Sequence, residues 1–248
     1  MLNAIGIIPC RMESSRLPGK PLAMIHGKPM IEWVYHAACK SNLIEIFVAT
    51  DSEEVRQVIQ AARGNVVMTS PEHKNGTTRI AEAAYKLRSR FDRNTSIVDI
   101  QGDDPLVSHD RINALVEDHC NPHRSRSITV SVGELSETCR DNPNIVKVIE
   151  GHKNRVQTMT RSPDFPYAFR SGNPLVYKHL STIAFSYQAL QEFVLLPECD
   201  QEKMEGVELL RAIYYGVPVH THHSVPSPSV DTQEDLDYVR SIFPSSHK

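Results

Sequence analysis

From Ala4 to Ile100 the chain alternates between short apolar runs and stretches of helical spacing, and this rhythm limits its possible folds more than any other feature. Ala4–Ile8 reads as a buried strand, and Met30–Lys40 as a helix with Ile31, Val34 and Ala38 on one stripe. Glu45–Ala49 is a second strand ending at Thr50-Asp51. Asp51 is then the expected N-cap of a helix through Ala62, with Glu54 three residues on completing a capping box. Val66–Thr69 follows as a strand, Thr77–Arg90 as a helix carrying Ile80, Ala84 and Leu87, and Ser96–Ile100 as a fourth strand. Strands separated by helices of this length make βαβ units and a mainly parallel sheet.

The second half is less regular. Ser127–Ser131, Ile145–Ile149, Ser181–Ser186 and Pro218–His222 read as strands. Gln188–Leu195 and Gln201–Tyr215 read as helices, as does Thr232–Phe243, capped by Thr232 or Asp231. Thr160–Tyr177, crowded with prolines and aromatics, reads as a structured loop. Without repeats or low-complexity linkers, residues 1–248 are expected to form a single α/β domain.

Composition narrows the function. Apolar residues make up 40% and charged residues 23%, the balance of a soluble globular protein. A net charge of −3 gives no support to nucleic-acid coating. No apolar stretch approaches a bilayer span, and the N-terminus lacks a secretory pattern, so no membrane partner is expected. Five scattered cysteines (Cys10, Cys39, Cys120, Cys139 and Cys199) form no Cys-x-x-Cys pair and suit reduced thiols in a cytoplasmic protein. They are read as core residues rather than catalysts.

The first strand empties into Pro9-Cys10-Arg11-Met12-Glu13-Ser14-Ser15-Arg16-Leu17-Pro18-Gly19-Lys20. Crowding Arg11, Arg16 and Lys20 at one strand end is costly without an anion, and a triphosphate supplies one: guanidinium forks grip phosphate oxygens and an ammonium acts as a point charge. A solvated basic loop is the plainer reading of such a segment, but Pro18-Gly19 fixes a tight turn beside Lys20. Two acidic motifs complete the pattern. Gln101-Gly102-Asp103-Asp104-Pro105 ends the fourth strand, at the rim where parallel α/β sheets bind ligands. Asp103 there serves either as a salt-bridge partner or as a carboxylate for Mg²⁺, which takes one or two carboxylates with phosphate oxygens. Asp231, in Ser229-Val230-Asp231-Thr232, is either a helix cap or a second metal carboxylate. Trp33 is assigned to the core. His220, His222 and His223 are rejected as a metal site, because neighbours on a strand face opposite ways.

Together these segments resemble the cytidylyltransferases that activate 3-deoxy-keto-sugar acids, above all the 3-deoxy-manno-octulosonate (Kdo) cytidylyltransferases, from about Ile5 to Arg240. The segments that carry the likeness also include Ile46–Asp51, His73–Arg79, Asn142–Lys147, His179-Leu180 and a helix with Glu202, Glu205 and Glu208. The resemblance implies a Rossmann-like nucleotidyltransferase fold, with a mainly parallel, mixed central sheet flanked by helices and a small dimerisation and sugar-binding subregion near residues 160–190. It implies Mg²⁺-dependent transfer of CMP from CTP to the anomeric hydroxyl of Kdo, or of a variant such as an amino-Kdo, for lipopolysaccharide or surface polysaccharide synthesis. Arg11, Arg16, Lys20 and Asp103 are the expected catalytic residues. Pro9, Cys10, Arg11, Ser14, Arg16, Lys20, Asn75, Gly76, Thr77, Arg79 and Gln101 would bind nucleotide. Gln101, Arg161, His179, Glu202 and Glu205 would bind sugar, and Asp103 and Asp231 the metal. A homodimer is implied, with Ser181–Phe185 and the Phe165–Tyr177 loop as its patch.

The departures from the family pattern fall mostly in the sugar half. Thr78 stands in place of a carboxylate, Asp104 in place of Glu, and Cys10 in place of Ala. Ser181-Thr182-Ile183 replaces Gly-Ile-Tyr, and the stretch Arg161–His179 is short. A nonulosonic acid or a phosphonate is therefore an alternative acceptor, and a non-catalytic nucleotide-binding homologue is an alternative class.

Overall fold

The computed structural model of the protein describes residues 3–14, 16–121, 124, 126–164 and 175–244. In chain order the strands are β1 (Ala4–Cys10), β2 (Met24–Ile25), β3 (Lys28–Pro29), β4 (Ile46–Thr50), β5 (Asn65–Met68), β6 (Ser96–Ile100), β7 (Ile128–Gly133), β8 (Lys147–Glu150), β9 (Val156–Thr160), β10 (Val176–Ser186) and β11 (Val219–His223). The α-helices are α1 (Met30–Cys39), α2 (Glu53–Ala61), α3 (Gly76–Lys86), α4 (His109–His119), α5 (Glu137–Arg140), α6 (Tyr187–Leu195), α7 (Asp200–Glu205), α8 (Leu209–Tyr214) and α9 (Gln233–Ile242).

One sheet runs in the order β11-β7-β10-β6-β1-β4-β5, with β8 and β9 extending it beside β10. β5, β4, β1 and β6 pair in parallel, as do β7 and β11, and β10 runs antiparallel between β6 and β7. Alternation along β1 explains why the sheet is covered on both sides. Ile5 and Ile7 enter one core with α3, α6 and α8, while Ala4, Ile8 and Cys10 enter the other with α1, α2 and α4. Such two-sided burial suits near-continuous apolar strands.

Several expectations change. Ser52, not Asp51, caps α2, accepting from the Val55 N–H, because Asp51 is drawn to Arg79 3.3 Å away. The stretch read as a loop from Thr160 begins at the end of a strand, β9, whose mixed Val156–Thr160 sequence hides its pairing with β8. Val176 and Tyr177 already belong to β10; residues 165–174, and with them most of the expected dimer loop, lie outside the described residues. Ser181–Phe185 is no surface patch. It belongs to an interior strand, and Thr182, Ala184 and Phe185 are fully buried between β6 and β7.

The helix expected over Gln201–Tyr215 is two helices. Gly206 sits between them at φ 61°, a left-handed conformation that suits glycine, and its N–H closes α7 on Glu202. Thr232 rather than Asp231 caps α9, in a capping box with Asp235. Cys10 and Cys199 are buried, whereas Cys39 and Cys120 are exposed at the ends of α1 and α4. Trp33 is buried, and its indole donates to the Ile25 carbonyl at 2.7 Å.

Candidate active site

The strand order reverses direction of winding between β1 and β6, and a cavity of about 270 Å³ opens at the carboxyl ends of these two strands. Pro9, Cys10, Arg11, Ser14, Arg16 and Lys20 line it from the β1 side, Gln101 and Asp103 from the β6 side, Asn75, Gly76 and Arg79 from α3, and Asp231 from the C-terminal segment. The loop after β1 turns on Gly19, at φ 68°, which starts a short 3₁₀ turn over Lys20–Leu22 and aims Lys20 inward.

Lys20 is the hub. Its Nζ lies 2.8 Å from Asp103 Oδ2, 3.1 Å from Asp231 Oδ1 and 2.9 Å from the Val230 carbonyl. Arg16 reaches Asp231 at 3.2 Å, and Arg11 stands exposed at the rim. Burial works against the lysine's charge, but the two carboxylates outweigh it and raise its pKa. Asp103 is raised by burial, which Lys20 only partly offsets. Burial pushes the Cys10 thiol up to about 12, so it remains a thiol and not a nucleophile.

A buried network holds the acidic turn. Asp104, 1% exposed, accepts hydrogen bonds from Arg111, from Ser181 at 2.8 Å and from Ser227 at 2.6 Å. The Val230 N–H donates to the Asp103 carbonyl at 2.8 Å. Thus α4, β10 and the segment before Asp231 are tied to one turn, and Asp103 and Asp231 face a common cation. No motif pointed to Arg111, whose partner lies seven residues away across a loop.

A second cavity, of about 400 Å³, continues from the first; both share Gly76, Gln101, Asp103 and Asp231. Arg161, His179, Ser181, Thr77 and Glu208 line the second, with Asp99 in its wall. The imidazole of His179 falls to about 4, through burial first and the nearby Arg161 charge second, so it is neutral near pH 7. Arg161 is fixed by the Asn144 carbonyl at 2.9 Å.

Two expected sugar ligands do not line this cavity. Glu202 is buried in an ion pair with Arg211 at 2.8 Å, and Glu205 accepts from the Arg161 N–H and the Thr160 hydroxyl. Both carboxylates are spent on holding α7 against neighbouring elements. Glu208 and Asp99 face the cavity instead. The one signal for Asp99 was an acid inside the otherwise apolar run Ser96–Ile100. Among the described residues no group of three metal-ligating side chains occurs, and His222 and His223 pair instead with Asp118 and Glu150.

A cationic loop at the switch point of a mostly parallel sheet, facing two acids, is the layout of a nucleotidyltransferase class of site. The sequence profile of the family described as cytidylyltransferase matches residues 5–223, and the chain belongs to that family. A 3-deoxy-manno-octulosonate cytidylyltransferase of Coxiella burnetii is 38% identical over 250 residues, covering 96% of this chain and 98% of the relative. One of Neisseria meningitidis is 37% identical, covering 98% and 99%. A solved structure of CMP:2-keto-3-deoxy-manno-octonic acid synthetase complexed with CTP superposes with a TM-score of 0.88 at 32% identity, covering 96% of this chain and 97% of that one. Within its family the chain falls among the 3-deoxy-manno-octulosonate cytidylyltransferases.

Proposed function

We propose that the protein transfers CMP from CTP to the anomeric hydroxyl of a 3-deoxy-manno-octulosonate-type sugar acid, releasing pyrophosphate. The observation that carries this reading is the continuity of the two cavities through Gly76, Gln101, Asp103 and Asp231. One is rimmed by Arg11, Arg16 and Lys20, and the other offers Arg161, His179 and Gln101. A triphosphate in the first would present its α-phosphorus where the cavities meet, beside a sugar in the second.

Lys20, Arg16 and Arg11 neutralise phosphate charge, and their stabilisation grows as charge moves onto the departing pyrophosphate. The N-terminus of α3, where Asn75 accepts from the Thr78 N–H at 2.9 Å, points its positive end at the junction. Arg161 is positioned to pair with the acceptor's carboxylate, and neutral His179 offers an unpaired Nε2 to a sugar hydroxyl. The attacking hydroxyl gives up its proton as the new O–P bond forms and the bond to the β-phosphate oxygen breaks.

Asp103 and Asp231 fit a Mg²⁺ site. Both approach the single Lys20 ammonium within 3.1 Å, so they already converge on one cation, and two carboxylates with phosphate oxygens form a donor set that Mg²⁺ favours. Bound there, the ion would supply charge stabilisation at the phosphates.

The family resemblance carries a homodimer and a cytoplasmic location into the proposal. All five cysteines are free, which suits a reducing compartment. No described helix is long and apolar enough to cross a membrane. Pyrophosphate release with CTP, UTP, ATP and GTP, each with 3-deoxy-manno-octulosonate, tests the activity. Release confined to CTP is expected; no release with any of the four overturns the reading.

A further inference from the structure

The second cavity carries more negative charge than an acidic sugar and a triphosphate require. Four carboxylates line it, Asp99, Asp103, Glu208 and Asp231, against a single guanidinium, Arg161. Asp103 and Asp231 are already satisfied, since they share Lys20. Asp99 and Glu208 are not.

Asp99 is 1% exposed, on the face of β6 that Ile97 shares with the α3, α6 and α8 core. Its Oδ2 accepts from the Gln101 amide at 2.7 Å, but its Oδ1 is buried with no partner. Glu208 begins the turn into α8. It accepts from the Thr77 hydroxyl, and its Oε2 is likewise buried and unpaired. Arg211, whose charge acts on Glu208, is itself held by Glu202 and the Leu196 carbonyl. Burial raises the pKa of each acid, and the charge of Glu208 raises Asp99 further. A buried polar atom without a partner is costly, and more so if charged, so two such oxygens in one cavity wall call for a donor. Among the described residues no cation is hydrogen-bonded to either acid, which leaves both oxygens open to a donor on the ligand.

We propose that the Asp99–Glu208 pair is a recognition site for an ammonium group on the acceptor sugar, so that the preferred substrate is an amine-bearing 3-deoxy-keto-sugar acid rather than its all-hydroxyl counterpart. The inference rests on the activity proposed above and specifies its acceptor. One end of such an acceptor is read by Arg161 through its carboxylate. The amine lies apart from that carboxylate and donates charge-assisted hydrogen bonds to Asp99 Oδ1 and Glu208 Oε2. A hydroxyl in the same place satisfies one oxygen and leaves two carboxyl groups without a counter-charge. Sites built around buried polar groups reject analogues that leave them unpaired.

The experiment compares kcat/KM for two acceptors at pH 7.5 with saturating CTP and Mg²⁺: 3-deoxy-manno-octulosonate and the analogue with one tail hydroxyl replaced by an amine. A preference for the amine of about 30-fold or more is expected. In Asp99→Asn and in Glu208→Gln, the ratio of the two kcat/KM values should fall at least about 10-fold. Melting curves establish that each variant folds, and either one suffices. A wild-type ratio at or below one, or a ratio that neither substitution moves, overturns the inference while leaving the transferase reading in place. If wild-type protein releases pyrophosphate with neither acceptor, the transferase reading fails and the inference falls with it.

Discussion

Replacing Arg111 by Met tests whether the acidic turn depends on a buried ion pair. Arg111 and Asp104 are 7% and 1% exposed, and the guanidinium also donates to Ser227 at 2.7 Å. Removing one partner of a buried pair costs about 3–5 kcal/mol, because the other charge stays desolvated. In Arg111→Met the Ser181 and Ser227 hydroxyls still donate to Asp104, which puts the cost at the lower end, about 3 kcal/mol. For a chain of this size that corresponds to a fall in Tm of about 6–12 °C. Adding Asp104→Asn removes the stranded charge, so the double variant should recover about half the loss or more. Urea unfolding of wild type, both single variants and the double variant closes the cycle. A loss under about 1 kcal/mol for Arg111→Met, or a double variant less stable than Arg111→Met, would refute the reasoning. Turnover should also fall in Arg111→Met, since the same network sets Asp103 opposite Asp231.

The other predictions concern single groups. Lys20→Ala and Arg16→Ala should lower turnover, Lys20→Ala by about 100-fold or more, because these cations stabilise charge that moves in the transition state; wild-type rates in both would make the loop a surface feature. Asp231→Asn should abolish Mg²⁺-dependent turnover while leaving the melting curve near that of wild type, and near-normal rates would place the metal elsewhere. His119, packed against Thr129, Arg124, Asp118 and His220, falls to about 4, by burial first and the Arg124 charge next. Since its folded pKa lies below the unfolded value of about 6.5, its contribution is intact above pH 6.5 and is lost as pH falls toward 4, by up to about 3 kcal/mol. Unfolding midpoints between pH 7.5 and 4.5 should drop less in His119→Gln. Ser52→Ala should cost about 1 kcal/mol by chemical unfolding, and an unchanged unfolding midpoint would mean that Ser52 does not cap α2.

The legible parts of the chain were those where neighbours in sequence are neighbours in space. β1, α1, β4 and β6 were readable because their apolar periodicity is written in consecutive residues, and the Arg11–Lys20 loop because all its cations lie within ten positions. Long-range partners were not readable. Asp51 looked like a cap until Arg79 claimed it, and Glu202 and Glu205 looked like ligands until Arg211 and the Arg161 backbone took them. β9 was hidden because it pairs with β8 alone, so its exposed positions carry polar residues and its apolar signal is thin. Gly206 ended a helix that periodicity would have continued.

β10 carries an irregularity with a consequence for how this site can change. Its pairing with β7 shifts between His179 and Ile183, so three residues of β10 stand opposite one of β7. The slack falls at Leu180, Ser181 and Thr182, and the first two of these line the second cavity. On either side the ladder is regular, and Thr182–Ser186 stays in register with β6. The strand therefore behaves as two rulers joined by a short loose link. Ser181 is held by Asp104 and Thr182 by β6, so Leu180 is the position in that link where a substitution can reshape the acceptor wall while the nucleotide-bearing half of the sheet keeps its spacing, which gives a lineage room to trade one sugar for another without refitting its phosphate loop.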